Sequence, residues 1–330
     1  MELTDIQIPS DLRDCSISEL EVIAQHIRNL IIHRTSHIGG HIGSSLGATD
    51  IIVALHHVFG LDDAQFIFDI SHQSYAHKIL TGRHEGFKNK DKFHTISGYS
   101  NPAESTHDAF HLGHASTSLS LACGLMIGRD LQHRTPPIIA MIGDGALSGG
   151  EAYEALNHLS TMSSQCLIII NDNEQSIAEN HGGLYTHLQQ LRETYGESPN
   201  NIFKALGFSY RYVDAGNSLA PLIHAIKDCK DETTPTVLHI HTTKGHGYDK
   251  AISNPEGFHN PSGFDIDTGE TKKRYTNSYE SIVAKQLIET LEQNKAACIV
   301  TAATPGGFCL TKDIREKLGA QYIDVGIAEE

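Results

Sequence analysis

Apolar residues recur at helical spacing near the start of the chain, in "SISELEVIAQHIRNLIIHRTS". The residues that share one helical face are Leu20, Ile23, Ile27, Leu30 and Ile31. Ser16 and Glu19 stand three residues apart, the capping-box spacing that marks where a helix begins. A glycine-rich turn, "HIGGHIGSSLG", then leads to a second apolar helix near residues 48–59.

Short apolar runs of strand length follow the two helices. They are "FIFDI" (66–70), "PIIAMI" (137–142), "CLIII" (166–170) and "TVLHIH" (236–241). Helical patterns at 116–131, 149–162 and 217–229 separate most of these runs. Strands that are apolar on both faces and alternate with helices are typical of a covered parallel sheet. The pattern therefore predicts an α/β fold, a doubly wound parallel sheet with helices on both faces.

The last third of the chain changes character. Residues 249–277 are rich in Pro, Gly, Asn and Asp and lack periodicity, which indicates an irregular segment and a linker. After them, "SYESIVAKQLIETLEQN" has the pattern of an amphipathic helix, and "AACIVTAATPGG" and "AQYIDVGIAEE" have that of strands. We therefore expect one domain over 1–270 and the incomplete beginning of a second α/β domain over 271–330.

Composition narrows the classes of partner. The 25 basic and 40 acidic residues give a net charge of −15, which argues against nucleic acid or an anionic membrane as a general partner. We read no membrane span from the apolar runs and no signal core at the N-terminus. The 6 cysteines are scattered without a CxxC pair, which favours reduced thiols in a cytoplasmic protein.

An aspartate stands where a phosphate-binding turn is expected. Asp144, in "GDG", follows the run "PIIAMI", and the "NDN" that ends at Asn173 follows "CLIII". If the two strands are neighbours, both turns face one crevice at the carboxyl edge of the sheet. Carboxylate, amide and carbonyl oxygens suit Mg²⁺ or Ca²⁺, and a cation would let the carboxylate and a diphosphate share the site. Gly143 and Gly145 would let the backbone approach closely. GDG alone is more often a plain turn, and the second motif favours the cation site.

The two turns together are similar to the thiamine diphosphate motif of the transketolase superfamily. Eight stretches, in order over about residues 25–330, resemble the 1-deoxy-D-xylulose 5-phosphate synthase family. They are "GGHIGSSLG", "DISHQSYAHKILTGR", "ESTHDAFHLGHASTS", "GDGALSGGEAYEALNH", "NDNEQSIAEN", "TTKGHGY", "FHNPSGFDIDTGE" and "YIDVGIAEE". The resemblance implies a transketolase-like fold that binds thiamine diphosphate and Mg²⁺.

The resemblance also implies roles for single residues. Asp144, Asn173 and the main-chain carbonyl of Gln175 would bind Mg²⁺. The residues that would contact the cofactor are His72, Gly113, His114, Ser116, Gly143, Gly145, Ala146, Asn173 and Lys244. His41 and His259 would act at the reactive carbon and the substrate, and Glu329 would activate the aminopyrimidine ring. Histidines suit proton transfer near neutral pH.

Each of these residues also has an ordinary structural interpretation. His41 could cap a helix, Lys244 could lie on the surface, and His259 could be a loop residue; His72 could simply pack. A separate triplet, His107, His111 and His114, could suggest zinc, but it lacks an HExxH pattern and we disfavour it.

The resemblance implies a synthase that condenses pyruvate with glyceraldehyde 3-phosphate, releasing CO₂ and forming 1-deoxyxylulose 5-phosphate for isoprenoid, thiamine and pyridoxal biosynthesis. Members of the family continue through a complete pyrimidine-binding domain and a third domain. We therefore expect a truncated chain or one half of a split enzyme, inactive without those domains, as a homodimer or bound to a complementary subunit. Glu330 replaces the family's usual Gln, the segment after "NDNEQSIAEN" is short, and "VDAGN" replaces a "DGHD"-like turn. A ketol transferase subunit and a non-catalytic cofactor-binding homologue remain the alternatives.

Overall fold

A five-stranded parallel sheet organises the protein, whose computed structural model describes Ile8 and residues 11–271 and 278–330. The strands are β1 (Gln65–Phe68), β2 (Ile138–Gly143), β3 (Leu167–Asp172), β4 (Ser209–Val213) and β5 (Thr236–His241). Their order across the sheet is β1-β2-β3-β5-β4. β2 and β3 are neighbours, with Gly143 opposite Asn171, so the turns after them share one edge.

Helices cover both faces of this sheet, as the sequence predicts. The longer ones are α1 (Ile17–Ile38), α2 (Ile42–Phe59), α5 (Ser118–Leu131), α6 (Gly150–Leu159), α7 (Gly183–Glu193) and α9 (Leu219–Lys230), and the short ones are α3 (Tyr75–Lys78), α4 (Glu85–Lys88), α8 (Ile202–Ala205) and α10 (Asp249–Ser253). α1, α2 and α9 pack on one face with Ile139 and Ile169 of the sheet. α5, α6 and α7 pack on the other with Ile138 and Ile168. Successive strand residues point to opposite faces, so both apolar layers come from the same strands.

The structure differs from the sequence prediction at several elements, among them α2, α7 and β4; the short helices were not predicted either, and α10 lies in the segment expected to be irregular. α2 begins at Ile42 rather than near residue 48, because its first turns carry Ser45 and Thr49, which weaken the apolar period. Both polar side chains are buried and satisfied: the Ser45 hydroxyl donates to the carbonyl of His72 and the Thr49 hydroxyl to that of Ser45. Strand β4 and helix α7 were not predicted; β4 is a half-buried edge strand whose sequence, "SYRYV", mixes polar and aromatic residues.

Helix α2 has the length and apolar composition of a membrane-spanning helix. Among the described residues it is the one helix that is long and apolar enough to cross a membrane by length and composition, with a mean hydropathy of 1.3. In the structure 94% of this window is buried inside the protein, where it packs against α1 and α9. Length and hydropathy are weak signals here, because a core helix satisfies both.

The C-terminal residues form a second, smaller unit. It contains α11 (Tyr279–Gln293), β6 (Ile299–Thr301), α12 (Lys312–Leu318) and β7 (Tyr322–Asp324), and β6 pairs with β7 in parallel. Short 3₁₀ turns at Pro305–Phe308 and Gly319–Gln321 complete it. The expected domain boundary at 270/271 adjoins residues 272–277, which lie outside the described residues, so that division stays a prediction.

One buried arginine connects this unit to two loops of the larger unit. The Arg315 guanidinium lies 2.8 Å from Glu256 Oε2 and 2.8 Å from Glu179 Oε2, both in the larger unit. It also donates to the Leu310 carbonyl at 2.7 Å. A guanidinium that bridges two carboxylates fixes their relative positions more firmly than a lysine would.

We predict that Arg315→Ala loosens the C-terminal unit while leaving the main sheet intact. The change leaves two carboxylates without their shared cation, and because these side chains are 39% and 28% exposed we expect a loss on the order of 1 kcal/mol. Hydrogen exchange should speed up over 278–330 and stay unchanged in β2 and β3. Lys317→Ala, an exposed change on the same helix, is the control. Equal exchange in both variants would contradict the role given to Arg315.

Candidate functional site

A cavity of about 440 Å³ opens at the carboxyl ends of β1, β2 and β3. Most residues predicted for the site line it: His41, His72, Gly113, Gly143, Asp144, Gly145, Ala146, Asn173, Gln175, His259 and Glu329. Parallel strands direct their carboxyl ends to one edge, which is where ligands bind in open α/β sheets. The fold thus brings into one cavity residues that lie up to almost three hundred positions apart in the chain.

Asp144 is a buried carboxylate at this edge. Its Oδ2 accepts a hydrogen bond from Asn180 Nδ2 at 2.7 Å, and it forms no ion pair with a residue that the structure describes. Burial, and then the nearby Asp172 carboxylate, raise the pKa of Asp144 to about 8. A carboxylate that is costly to ionise here would gain from a cation placed beside it.

The neighbouring turn supplies the other predicted oxygen ligands. Asn173 and Gln175 line the same cavity, and the Gln175 amide donates to Asn173 Oδ1 at 3.2 Å. A Cβ added at Gly145 would lie 2.6 Å from Ser176 Oγ, so this position is closed to larger residues. A Cβ added at Gly143 would meet nothing within 4 Å, because Gly143 faces the open cavity.

Three histidine rings form a cluster in the cavity. The ring centroids of His41 and His72 are 5.4 Å apart, and His259 lies 5.6 Å from each of them. The Nδ1 atoms of all three are buried without a hydrogen-bond partner among the described residues. Burial, and then the Lys244 charge, lower the pKa of His41 to about 4. Burial likewise lowers the pKa of His72 and His259. The cluster is therefore neutral at neutral pH.

Three predicted residues do not line the cavity. Lys244 is buried behind it and donates from Nζ to the Ser176 carbonyl; burial lowers the pKa of Lys244 to about 8. Ser116 is fully buried with φ 70°, and its hydroxyl donates to the Ala146 carbonyl at 2.8 Å. His114 lies on the exposed rim, with Nδ1 2.7 Å from the Ala115 carbonyl, a contact that raises the pKa of His114.

The C-terminal unit forms one wall of the cavity. Glu329 reaches it from this unit, and its Oε2 accepts a hydrogen bond from the Ala115 amide at 2.9 Å. Ala302, Thr304 and Ile327 line the cavity beside it. The same carboxylate lies 3.9 Å from His114 Nδ1.

Sequence reasoning missed several residues of the site. Asp69 lines the cavity and accepts from the amides of Ser116 and Ser118 at 2.9 and 3.0 Å, which holds the strained Ser116 in place. Its position at the end of "FIFDI" parallels that of Asp144 after "PIIAMI" and could have been noticed. Tyr99, whose ring lies 5.4 Å from His41, comes from a loop without any such signal.

The described residues contain no group of three or more His, Cys, Asp or Glu side chains arranged to hold a metal ion. His107 instead lies 3.8 Å from Asp62, and His111 is exposed. The ligand set predicted around Asp144 is of another kind, one carboxylate with amide and carbonyl oxygens, a combination that would suit a hard cation such as Mg²⁺.

Two family models match most of the chain. Residues 3–198 match the family described as 1-deoxy-D-xylulose-5-phosphate synthase. The chain belongs to this family. Residues 129–302 match the thiamine diphosphate binding domain of transketolases, so this part is of the cofactor-binding type.

Individual relatives agree with this assignment. The chain is 36% identical to the 1-deoxy-D-xylulose-5-phosphate synthase of Carboxydothermus hydrogenoformans, over 99% of this chain and 58% of that protein. It is 38% identical to the one of Listeria monocytogenes, over 100% of this chain and 56% of that protein. The chain thus spans somewhat more than half the length of the curated relatives it matches.

Solved structures support the fold alone. Transketolase from Campylobacter jejuni superposes with a TM-score of 0.58 at 20% identity, over 75% of this chain and 44% of that one. Transketolase from Leishmania mexicana gives 0.57 at 17% identity, over 88% and 48%. The doubly wound, transketolase-like fold predicted from the sequence is confirmed.

We predict that acid destabilises the protein through the histidine cluster. An unfolded histidine binds a proton below its ordinary pKa near 6.5, whereas folded His41 binds one only near pH 4. Unfolding therefore takes up protons in this window, and stability falls by up to about 1.4 kcal/mol per pH unit for each such histidine as the pH drops from 6.5.

The measurement is the urea unfolding midpoint at pH 7 and pH 5. His41→Gln should show a shallower loss than the unchanged protein, because one group no longer titrates. His158→Gln, an exposed change on α6, should keep the full loss. A slope for His41→Gln as steep as that of the unchanged protein would show that His41 is not the group responsible.

Proposed function

We propose that this chain is the diphosphate-binding part of a thiamine diphosphate-dependent 1-deoxy-D-xylulose 5-phosphate synthase. One observation carries the proposal: Asp144, Asn173, Gln175, the histidine cluster and Glu329 all line one cavity. Thiamine diphosphate chemistry needs a cation site, groups that transfer protons and a carboxylate. The chain also belongs to the synthase family. The relatives bear the name of the synthase, and this chain covers 58% and 56% of the length of the two named above.

In this proposal Asp144, the Asn173 amide and the Gln175 carbonyl would hold Mg²⁺, which neutralises the diphosphate. Asp144 fits the role because it is buried without an ion pair among the described residues, and a bound cation would favour its charged form. Lys244, buried close enough for Asp144 to favour its charge, would add a second positive charge beside the diphosphate. His72 would contact the diphosphate, and Gly143 would leave it room.

Thiamine diphosphate, when bound, supplies a thiazolium ring that accepts the electrons released by decarboxylation. The protein's own groups would handle protons and position. His41 and His259 are neutral at neutral pH, and the unpartnered Nδ1 of each could accept a proton from the reacting atoms or share a hydrogen bond with them. Glu329, fixed by the Ala115 amide, would accept a hydrogen bond from the aminopyrimidine ring.

We further propose that the two regions of the chain bind different parts of the cofactor. Residues 1–270 would bind the diphosphate and Mg²⁺, and 271–330 would begin a pyrimidine-binding unit, since Glu329 reaches the cavity from there. The substrates would be pyruvate and a sugar phosphate, and the active assembly a homodimer or a complex with a subunit that carries the rest of the family's length. All 6 cysteines are free thiols, which favours a cytoplasmic location.

Cofactor binding is the first test. Calorimetric titration of thiamine diphosphate should show binding that depends on Mg²⁺. Asp144→Ala should weaken it by at least about 100-fold, because removal of a metal ligand costs no less than loss of a ligand's hydrogen-bond partner. Asp228→Ala, an exposed change on α9, should bind like the unchanged protein. Magnesium-independent binding, or equal binding by Asp144→Ala, would contradict the proposed metal site.

The reaction is the second test. The chain is supplied with cofactor, Mg²⁺, pyruvate and glyceraldehyde 3-phosphate, alone and with a separate polypeptide that corresponds to the rest of the relatives' length. We expect CO₂ and 1-deoxyxylulose 5-phosphate in the reconstituted mixture, and a loss of about 10²–10⁴-fold in His41→Gln if His41 acts as acid or base. Ketol transfer without CO₂ release would support the transferase alternative. No turnover at all would support the non-catalytic alternative.

A further inference from the structure

The turn that follows β3 has a strained backbone. Glu174, between Asn173 and Gln175, has φ 63°, a left-handed conformation that costs a non-glycine residue on the order of 1 kcal/mol. Asp172 Oδ1 accepts from the Glu174 amide at 3.2 Å, and Asn173 Oδ1 accepts from the Gln175 amide at 3.2 Å. These bonds are internal to the turn and do not fix it to the rest of the protein.

Arg192, on α7, supplies one external attachment. Its guanidinium lies 2.5 Å from Asp172 Oδ2 through Nη1 and 2.9 Å from Glu174 Oε2 through Nη2. These two carboxylates stand on either side of Asn173. The Arg192 side chain is 12% exposed and that of Asp172 1%, so this contact is shielded from water, whereas the Glu174 side chain is 52% exposed. A planar guanidinium with two separate donors sets the distance between two carboxylates.

Strand β5 supplies a second attachment. His239 Nε2 lies 2.9 Å from Asp172 Oδ2, and the Tyr210 hydroxyl lies 2.8 Å from His239 Nδ1. His241 Nε2 lies 3.0 Å from Glu174 Oε1. Each carboxylate beside Asn173 is therefore contacted both from α7 and from β5.

We propose that Arg192 is a positioning residue for the cation site, and that it holds the Asn173–Gln175 turn in the conformation that presents its oxygens to the cavity. This inference rests on the proposed function, since it concerns how the same site holds its cation. Arg192 does not line the cavity and would not touch the cation itself.

Electrostatics and positioning predict opposite results for this residue. Arg192 is a positive charge near Asp144. Burial opposes that charge, but Asp172, then Glu174 and then Asp144 outweigh burial and raise the pKa of Arg192. If only its charge mattered, its removal would leave the site more negative and tighten cation binding. If it positions the turn, its removal lets a strained ligand loop relax and weakens cation binding, by about 10-fold at the low end of the range for residues behind metal ligands.

The experiment compares Arg192→Gln and Arg192→Lys with Arg129→Gln. Arg129 is a matched control: its side chain is 7% exposed, against 12% for Arg192, and it donates to the Pro136 and Gln165 carbonyls just before β2 and β3, at the amino ends of the strands. Mg²⁺ is titrated calorimetrically at fixed thiamine diphosphate, and Mn²⁺ binding is followed by electron paramagnetic resonance. Urea unfolding reports the stability of each variant.

We expect Arg192→Gln to weaken Mg²⁺ and Mn²⁺ binding by about 10-fold. Arg192→Lys keeps the charge but reaches one carboxylate, and it should weaken binding by a smaller factor. Arg129→Gln should bind both cations like the unchanged protein even where its unfolding midpoint falls. If Arg192→Gln does not fold, Arg192→Lys carries the same comparison with Arg129→Gln.

The failures are distinguishable. Unchanged or tighter cation binding in Arg192→Gln, while the unchanged protein binds Mg²⁺ and cofactor, would overturn the inference alone. If the unchanged protein binds Mn²⁺ but no thiamine diphosphate, the proposed function fails, and the Mn²⁺ comparison still decides the role of Arg192. Absence of Mn²⁺ binding with and without cofactor would overturn both.

Discussion

Two buried carboxylates at the ends of adjacent parallel strands impose the main physical constraint on this protein. Asp144 follows β2 and Asp172 ends β3, and their repulsion in a buried environment must be relieved. Burial opposes the charge of Asp172, but the His239 hydrogen bond and the Arg192 charge outweigh it and lower the pKa of Asp172. Asp144 receives no such partner among the described residues, and its pKa rises to about 8. The asymmetry leaves Asp144 as the position where an external cation gains most.

The other groups around the cavity add little charge beside Asp144. The histidine cluster is buried and neutral, so it adds polar atoms without adding charge. Neutral histidines can form hydrogen bonds with a bound molecule without the larger desolvation cost of charged groups at the same depth. Lys244, behind the cavity wall, is the buried cation that partly balances Asp144.

The smaller C-terminal unit takes part in the site rather than lying apart from it. Arg315 joins it to Glu179 and Glu256, and Glu179 pairs through a β-bridge with Gln175. Movement of this unit would therefore shift Glu329 and the turn that carries the predicted oxygen ligands. This connection gives a physical reason why the two sequence regions, which look like separate domains, meet at one cavity.

Much of the fold and part of the site follow from local sequence pattern. Apolar runs of strand length and helical periods predict four of the five strands and most long helices. They do so because a strand or helix that is buried on one or both faces carries apolar residues at a regular spacing along the chain. The GDG and NDN turns identify Asp144 and Asn173, since both come directly after such runs. The family resemblance added His41, His72, His259 and Glu329 as candidates, and all of them line the cavity. Their roles remain predictions.

Only the tertiary structure decided which side chains meet. It placed β5 between β3 and β4, which brought His239 and His241 against Asp172 and Glu174. The structure also showed that Arg192 contacts Asp172 and Glu174 and that Asp69 holds the amides of Ser116 and Ser118. Ser116 and Lys244 lie behind the cavity wall. Helix and strand formation depends on neighbours a few residues apart, which the sequence by itself records. Contacts between distant residues depend on strand order and packing, which no short stretch of the sequence specifies.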